Sequence, residues 1–235
     1  MNIEFTDNKT VLTGSCDFDL EHIFECGQSF RFDRTIDGFE GIALGKYLRV
    51  SQDSGAITLY PCRPIEYKEI WKNYFDLERD YARLFECADG VLQEGLRSAA
   101  GLRILNQPPF ETLISFIISS NNNVKRIRGI VRRLCERFGR PFEFEGKTYY
   151  DFPTPASLAA ADSAELAEIG AGYRAPFIVG AARVVCGVRS RPGRTGGVQL
   201  DVQAGEQDVH ASFKFGGAVV VGENGREAAK SGELA

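Results

Sequence analysis

The densest chemistry in this sequence lies where Ser120 is followed by Asn121, Asn122 and Asn123 and then by Val124, Lys125 and Arg126. Asparagines are poor helix formers and good caps, because a short carboxamide accepts from the free N–H groups of a first helical turn. The run therefore predicts a tight corner between two helices. Exposed amides beside a free helix N-terminus suit a phosphate or the edge of a base. A polar turn on a helical hairpin, with no ligand at all, is the other reading of the same residues. Past the corner, Lys125, Arg126, Arg128, Arg132, Arg133 and Arg137 face a single acid, Glu136. A solvated face would explain them, but such a local excess in a chain of net charge −4 is better explained by a stripe facing phosphates.

Other reactive types are sparse. Cys16, Cys26, Cys62, Cys87, Cys135 and Cys186 form no C-x-x-C pair, and only His22 and His210 could add imidazole. No metal site is expected, and free thiols in a reducing compartment are. Gly27, between a helical and a strand pattern, could simply relieve crowding where they meet.

These residues need a scaffold, and 235 residues can supply one large core or two small ones. No apolar run is long enough to span a bilayer, and the first residues lack a basic-then-apolar leader. The expectation is a soluble cytoplasmic monomer, nucleoid-associated if prokaryotic, with no membrane contact. The first sixty residues read as antiparallel sheet. A short helix over 17–25, capped by Asp17, interrupts it. Phe30 and Phe32 alternate onto one face, Asp37-Gly38 marks a hairpin turn, and strands follow over 39–44, 46–52 and 56–60. From Ile65 the period turns helical, with Ile65, Ile70, Trp71, Tyr74 and Phe75 on one face and Tyr81, Leu84 and Phe85 on another. These aromatics read as core. Pro108-Pro109-Phe110-Glu111 opens a helix whose Leu113, Ile114, Phe116, Ile117 and Ile118 wrap most of its circumference, so burial all round is expected. Gly139 and Pro141 end the helix after the corner. Thr154-Pro155 opens a short helix, Asp162 to Glu165 has the form of a capping box, and another helix follows Gly172.

Three collinear segments carry a resemblance. They are Ser119-Ser120-Asn121-Asn122-Asn123 with Arg126-Ile127 after it, Cys26-Gly27-Gln28-Ser29-Phe30-Arg31-Phe32, and Gly170-Ala171-Gly172-Tyr173-Arg174-Ala175. Together with Tyr74-Phe75-Asp76-Leu77 they resemble the 8-oxoguanine DNA glycosylase family in order and spacing. The resemblance implies an α+β fold: an antiparallel N-terminal β-domain (1–100), then an all-helical glycosylase domain (101–186). It implies base excision from duplex DNA containing an oxidised purine, by base flipping and attack of a lysine amine on the sugar, with AP-lyase strand cleavage and no cofactor. Carried over residue by residue, Asn121 fills the gap left by the flipped base, and Arg126 and Arg174 contact the orphaned cytosine. The Gly27 carbonyl accepts from N7–H of 8-oxoguanine, where guanine has a bare acceptor. Gln28 and Phe30 hold that loop. Pro176 departs from the long or basic residue usual in the family.

After Cys186 the resemblance stops. Residues 187–235 are rich in Gly, Val and small polar residues, and show no helical apolar face. The family's helix-hairpin-helix, Leu-Pro-Gly-Val-Gly and a residue before its lysine, is not recognisable. Pro192-Gly193 continues as Arg194-Thr195, and Lys214, Lys230, Asp201 and Asp208 sit in no such motif. No catalytic residue can be named. The fold is thus read as truncated before the hairpin, with a tail that is not homologous to the family and loosely packed. Alternative readings are a DNA-binding remnant without catalysis and a helical protein-interaction module. A shifted reading frame accounts for the break better than divergence does. Translating the coding DNA beyond the Val185 codon in the other two frames is expected to return the missing hairpin motif; its absence from both would refute the shift.

Overall fold

Alternating burial builds the N-terminal half of the computed structural model, which describes residues 2–14, 17–81, 83 and 89–187, and the backbone alone of 200–205, 208–215 and 218–221. Strands β1 (Asn2–Thr6), β2 (Lys9–Thr13), β3 (Phe32–Arg34), β4 (Gly38–Ala43), β5 (Lys46–Asp53) and β6 (Ala56–Tyr60) form one sheet in the order β1-β2-β6-β5-β4-β3. Every neighbouring pair is antiparallel. Phe39, Val50, Ile57 and Leu59 point to one face, which α1 (Leu20–Glu25) covers with Ile23 and Phe24. The helical segment 64–74, here α2, closes the same core with Tyr67, Trp71 and Tyr74. Phe24 meets the rings of Phe32 at 4.4 Å and Phe39 at 5.0 Å. Trp71, Tyr74 and Phe75 are core, as their spacing predicted, whereas Tyr81 is half-buried outside the core, its hydroxyl bonded to Asp76 and to the Ile104 N–H; Leu84 and Phe85 lie outside the described residues.

Several local expectations need correction. Helix α1 starts later than predicted. Asp19 is its cap, accepting from the His22 N–H at 2.9 Å, while the Asp17 carbonyl receives Arg103 Nε at 3.0 Å. Phe30 and Phe32 do not share a face. The strand begins only at Phe32, which enters the sheet core, whereas Phe30 packs into the helical core. Ile65 is exposed, because a π-helical stretch (Tyr67–Trp71) inserted between α-helical turns resets the register and brings Tyr67 inward.

The helical half comprises α3 (Gly90–Ser98), α4 (Pro109–Ser119), α5 (Val124–Phe138), α6 (Pro155–Ala160), α7 (Ser163–Leu166, running into a π-turn) and α8 (Ala175–Val185). Ile114, Ile118, Ile127, Val131, Leu134, Ile178 and Ala182 form its core. Helix α4 is not buried all round: Phe116 is 73% exposed. It lies roughly 200° around the helix from Ile114, opposite the stripe that packs on α5 and α8. Asp162 caps α7 through the Ala164 N–H at 2.9 Å, but Glu165 does not complete the expected box; it binds Arg137. A hairpin, β7 (Pro141–Phe144) and β8 (Lys147–Tyr150), was not foreseen, although Glu145-Gly146 at its tip takes two left-handed conformations. Phe144 stacks on Tyr47 at 4.5 Å, so both sides of β5 are covered. In the tail, β9 (Leu200–Gly205), β10 (Asp208–Phe215) and β11 (Ala218–Val221) make a three-stranded antiparallel sheet, more regular backbone than the composition led us to expect. Val-rich segments favour that extended state.

The two halves meet at Arg31. Its Nη1 lies 3.6 Å from Glu111 and 3.9 Å from Asp151, and Nη2 donates to the Tyr150 carbonyl at 2.5 Å. Phe152 covers the guanidinium at 5.9 Å. Glu111 is only 7% exposed. Burial raises its carboxyl above the usual range and Arg31 opposes that rise. Arg31→Met removes the opposing charge and pushes the carboxyl further up. A carboxyl raised in the folded state gives stability below its unfolded range and loses it as pH rises through the folded value. The variant is therefore expected to lose about 3–5 kcal/mol near neutral pH. The loss should be smaller near about pH 5 than near about pH 8. Urea midpoints at both pH values check this, and equal losses would show that Arg31 does not alter the titration of Glu111.

Candidate nucleic-acid interface

Each asparagine of the corner has a separate task. Ser120 ends α4 in an extended conformation, and Asn121 turns the chain with φ +48°. Asparagine tolerates this left-handed region better than most residues. Asn122 Nδ2 donates back to the Ile118 carbonyl at 3.2 Å, and its Oδ1 accepts from the Asn123 N–H at 3.1 Å. Asn123 caps α5, accepting from the Arg126 N–H at 2.9 Å. The Asn121 side chain is left exposed, with no hydrogen bond among the described residues.

Arg174 braces the corner from behind, although 53 residues separate it from Asn121. It is 5% exposed. Nε donates to the Ser120 carbonyl at 2.9 Å, Nη2 to the carbonyls of Asn121 at 3.0 Å and of Ser120, and Nη1 to the Ala171 carbonyl at 3.4 Å. The guanidinium lies over the Tyr173 ring at 4.4 Å. Carbonyls that α4 cannot satisfy within itself thus find a cation. Pro176 sits in the first turn of α8, where its missing N–H costs nothing.

The stripe on α5 needs the largest correction. Arg128 binds Glu25 at 3.3 Å, Arg132 binds Asp33 at 2.9 Å and Arg137 binds Glu165 at 2.5 Å, while Arg133 Nε donates to the Ile169 carbonyl at 2.8 Å. Acids from other elements, invisible in the local sequence, neutralise half of the row. Lys125 and Arg126, both exposed, make no such contact among the described residues. The cations left open are therefore the two in the first turn, beside Asn121.

Gly27 lies in the turn after α1 with φ +86°, a conformation that disfavours any side chain. Its carbonyl accepts no hydrogen bond among the described residues. Gln28 holds the turn, as its place in the motif implied. It donates to the carbonyls of Ile23 at 2.9 Å and Arg103 at 2.8 Å, and accepts from the Leu105 N–H at 3.0 Å. Gln107 Nε2 donates to the Gln28 carbonyl at 2.6 Å. Sequence reasoning missed Gln107, Arg31 and Arg128 as supports. Arg31 stood inside a motif; the other two carried no signal. Burial pushes the Cys62 thiol up to about 11 and the Cys135 thiol up to about 12, so neither is a thiolate at neutral pH. Among the described residues no group of three His, Cys, Asp or Glu side chains could hold a metal ion, and no helix is long and apolar enough to cross a membrane.

Comparison with known proteins defines the class. The sequence model of the helix-hairpin-helix superfamily of base excision DNA repair proteins matches residues 114–225, past the Cys186 boundary where recognisable motifs end. That of the 8-oxoguanine DNA glycosylase N-terminal domain matches residues 10–113. The apo 8-oxoguanine glycosylase/lyase of Clostridium acetobutylicum superposes with a TM-score of 0.75 at 34% identity, covering 80% of this chain and 67% of that one. The same protein in complex with double-stranded DNA containing cytosine opposite 8-oxoguanine gives 0.75 and 34%, covering 81% and 67%. The chain belongs to the 8-oxoguanine DNA glycosylase family. An N-glycosylase/DNA lyase of Saccharomyces cerevisiae is 49% identical over 88 residues, which are 37% of this chain and 23% of that protein. The match to an Arabidopsis thaliana N-glycosylase/DNA lyase, at 33% identity, covers 46% of this chain and 29% of that protein. The chain thus spans less than a third of the length of these two relatives.

Asn123→Ala removes the cap of α5 and leaves a first-turn N–H unpaired. A loss of about 1 kcal/mol in unfolding free energy is expected. Asn121→Gly, which breaks no hydrogen bond of the fold and takes the positive φ without strain, should lose far less. Urea denaturation of both variants tests the division of labour, and equal losses would contradict it.

Proposed function

We propose that this chain recognises 8-oxoguanine opposite cytosine in duplex DNA. The observation that carries the reading is the corner itself. An asparagine side chain unused by the fold projects between two helices, Arg174 lies behind it, and Lys125 and Arg126 stand open at the N-terminus of α5. Phosphates bind such helix starts, and bare amides read base edges. Asn121 would occupy the space of a flipped base, with Arg126 and Arg174 towards the unpaired cytosine. For Arg174 that role requires it to exchange a backbone carbonyl for a base acceptor. Gly27 would supply a single-atom test of the lesion. Its carbonyl accepts from N7–H of 8-oxoguanine and meets a lone pair on N7 of guanine. The solved complex of the C. acetobutylicum protein with DNA of that pairing supports the choice of substrate. DNA as ligand places the protein with the chromosome.

The parent reaction of this family reading is excision followed by strand cleavage through a lysine Schiff base. We infer that the present chain binds without excising. Lys125 stands exposed in the first turn of α5, in no hairpin motif. Lys214 lies in β10, in no hairpin motif, and Lys230 lies outside the described residues. The pairing of Arg128, Arg132 and Arg137 with the protein's own acids weighs against the other reading, a basic face for an acidic protein partner.

Competition titrations should give tighter binding to a duplex with 8-oxoguanine opposite cytosine than to its undamaged counterpart. Asn121→Ala and Arg174→Ala should each lose roughly 1–3 kcal/mol of that discrimination and relax the preference for cytosine. Wild-type protein that binds both duplexes equally would sink the assignment. Borohydride should trap no covalent complex on the lesion duplex. A trapped complex would overturn the inference of inactivity, and mapping the modified lysine would name the nucleophile.

A further inference from the structure

Arg128 lies two residues beyond Arg126 on α5 but reaches away from the corner, towards the sheet half. Its Nη2 donates to the Phe24 carbonyl at 3.1 Å and to Glu25 Oε2 at 3.3 Å. Those residues end α1, immediately before the Gly27 turn. The side chain is only 18% exposed, and its Nε is buried without a hydrogen-bond partner. A buried donor left unpaired is unfavourable, so stability alone does not explain an arginine here. One helical turn on, Arg132 extends from the same face of α5 to Asp33 at 2.9 Å, just beyond the far end of the loop. The loop is thus gripped from α5 on both sides. Of the other ties of the loop, Gln28 to Arg103 and Leu105, Gln107 to Gln28 and Arg31 to Glu111 lead to the segment before the corner or to the start of α4, and Arg31 to Tyr150 and Asp151 leads to the end of β8.

We propose that Arg128 is a positioning residue that locks the Gly27 turn to the helix carrying Arg126, so that lesion and opposite base are read in one fixed register; Arg132, more exposed, is its weaker second. This rests on the functional reading above. A carbonyl that must accept one hydrogen bond tolerates little displacement, and α5 is the element that also bears the first-turn cations. Arg128 touches neither base in this scheme. Its bond to a main-chain carbonyl fixes where the turn sits, whatever side chains the turn carries.

The test uses the full chain and two independent readouts. Amide hydrogen exchange of Cys26 to Gln28 in the free protein reports the clamp. The ratio of affinities for 8-oxoguanine and guanine duplexes, each paired with cytosine, reports its consequence. R128Q is expected to speed exchange about tenfold and to reduce the ratio about tenfold, with little change in affinity for the undamaged duplex. R128K keeps the charge and a donor for the Phe24 carbonyl, and should recover most of the loss; R128M, which keeps the aliphatic stem and removes both bonds, carries the test if R128Q does not fold. E25Q, which leaves the carbonyl bond in place, should behave as wild type. Unchanged exchange and ratio in R128Q would overturn the proposal. So would an equal loss on both duplexes, which would make Arg128 a phosphate contact. A wild type without lesion preference overturns the functional reading and this proposal together. A discriminating wild type beside an equally discriminating R128Q overturns this proposal alone.

Discussion

A guanidinium buried between two cores is the constraint on which the rest of this structure depends. Arg31 belongs by sequence to the sheet half, yet its partners Glu111, Tyr150 and Asp151 all belong to the helical half. Desolvating a charge costs several kcal/mol, which these partners offset although Nη1, within ion-pair distance of both carboxylates, makes no hydrogen bond. The two halves therefore cannot rotate against each other without exposing an unpaired ion. The loop that holds Gly27 begins four residues before Arg31, and the helix that ends in the asparagine corner begins beside Glu111. One buried contact thus relates two elements proposed to read DNA that lie about ninety residues apart in sequence.

The corner solves a related problem at smaller scale. A helix end leaves carbonyls unpaired and a helix start leaves N–H groups unpaired, and a four-residue connection must satisfy both. Arg174 serves the carbonyls, Asn123 the N–H groups and Asn122 the crossing between them. Because these supply the local order, Asn121 can remain uncommitted without fraying either helix. A residue whose backbone makes the turn but whose side chain serves no contact of the fold is held by three that do.

Much of this was legible in the sequence, for reasons that differ by element. The strands over 39–60 were readable because burial on one face imposes a period of two, and the turn at Asp37-Gly38 punctuates it. The asparagine corner was readable because capping is local chemistry. What failed was whatever depended on distant partners. Arg128, Arg132 and Arg137 looked free because Glu25, Asp33 and Glu165 lie far off in the chain. Phe116 looked buried because its neighbours are apolar, but circumference alone does not say which stripe meets another helix. Ile65 looked buried because no sequence signal announced the π-turn that shifts the register. Gly27 and Arg174 were legible only through resemblance to a family, since a lone glycine and a lone arginine carry no physical signature of their own.

The self-paired arginines of α5 also govern how such a protein would find its target. With their charge already met by acids of the chain, and with net charge −4 overall, little long-range field draws the molecule to a polyanion. Non-specific attraction to undamaged duplex, which depends on counterion release, then rests on a few first-turn cations. Long one-dimensional slides along DNA need a stronger hold than that. On the proposed reading, search would proceed by brief, separate visits, and residence would be decided after contact, by the fit of a single base.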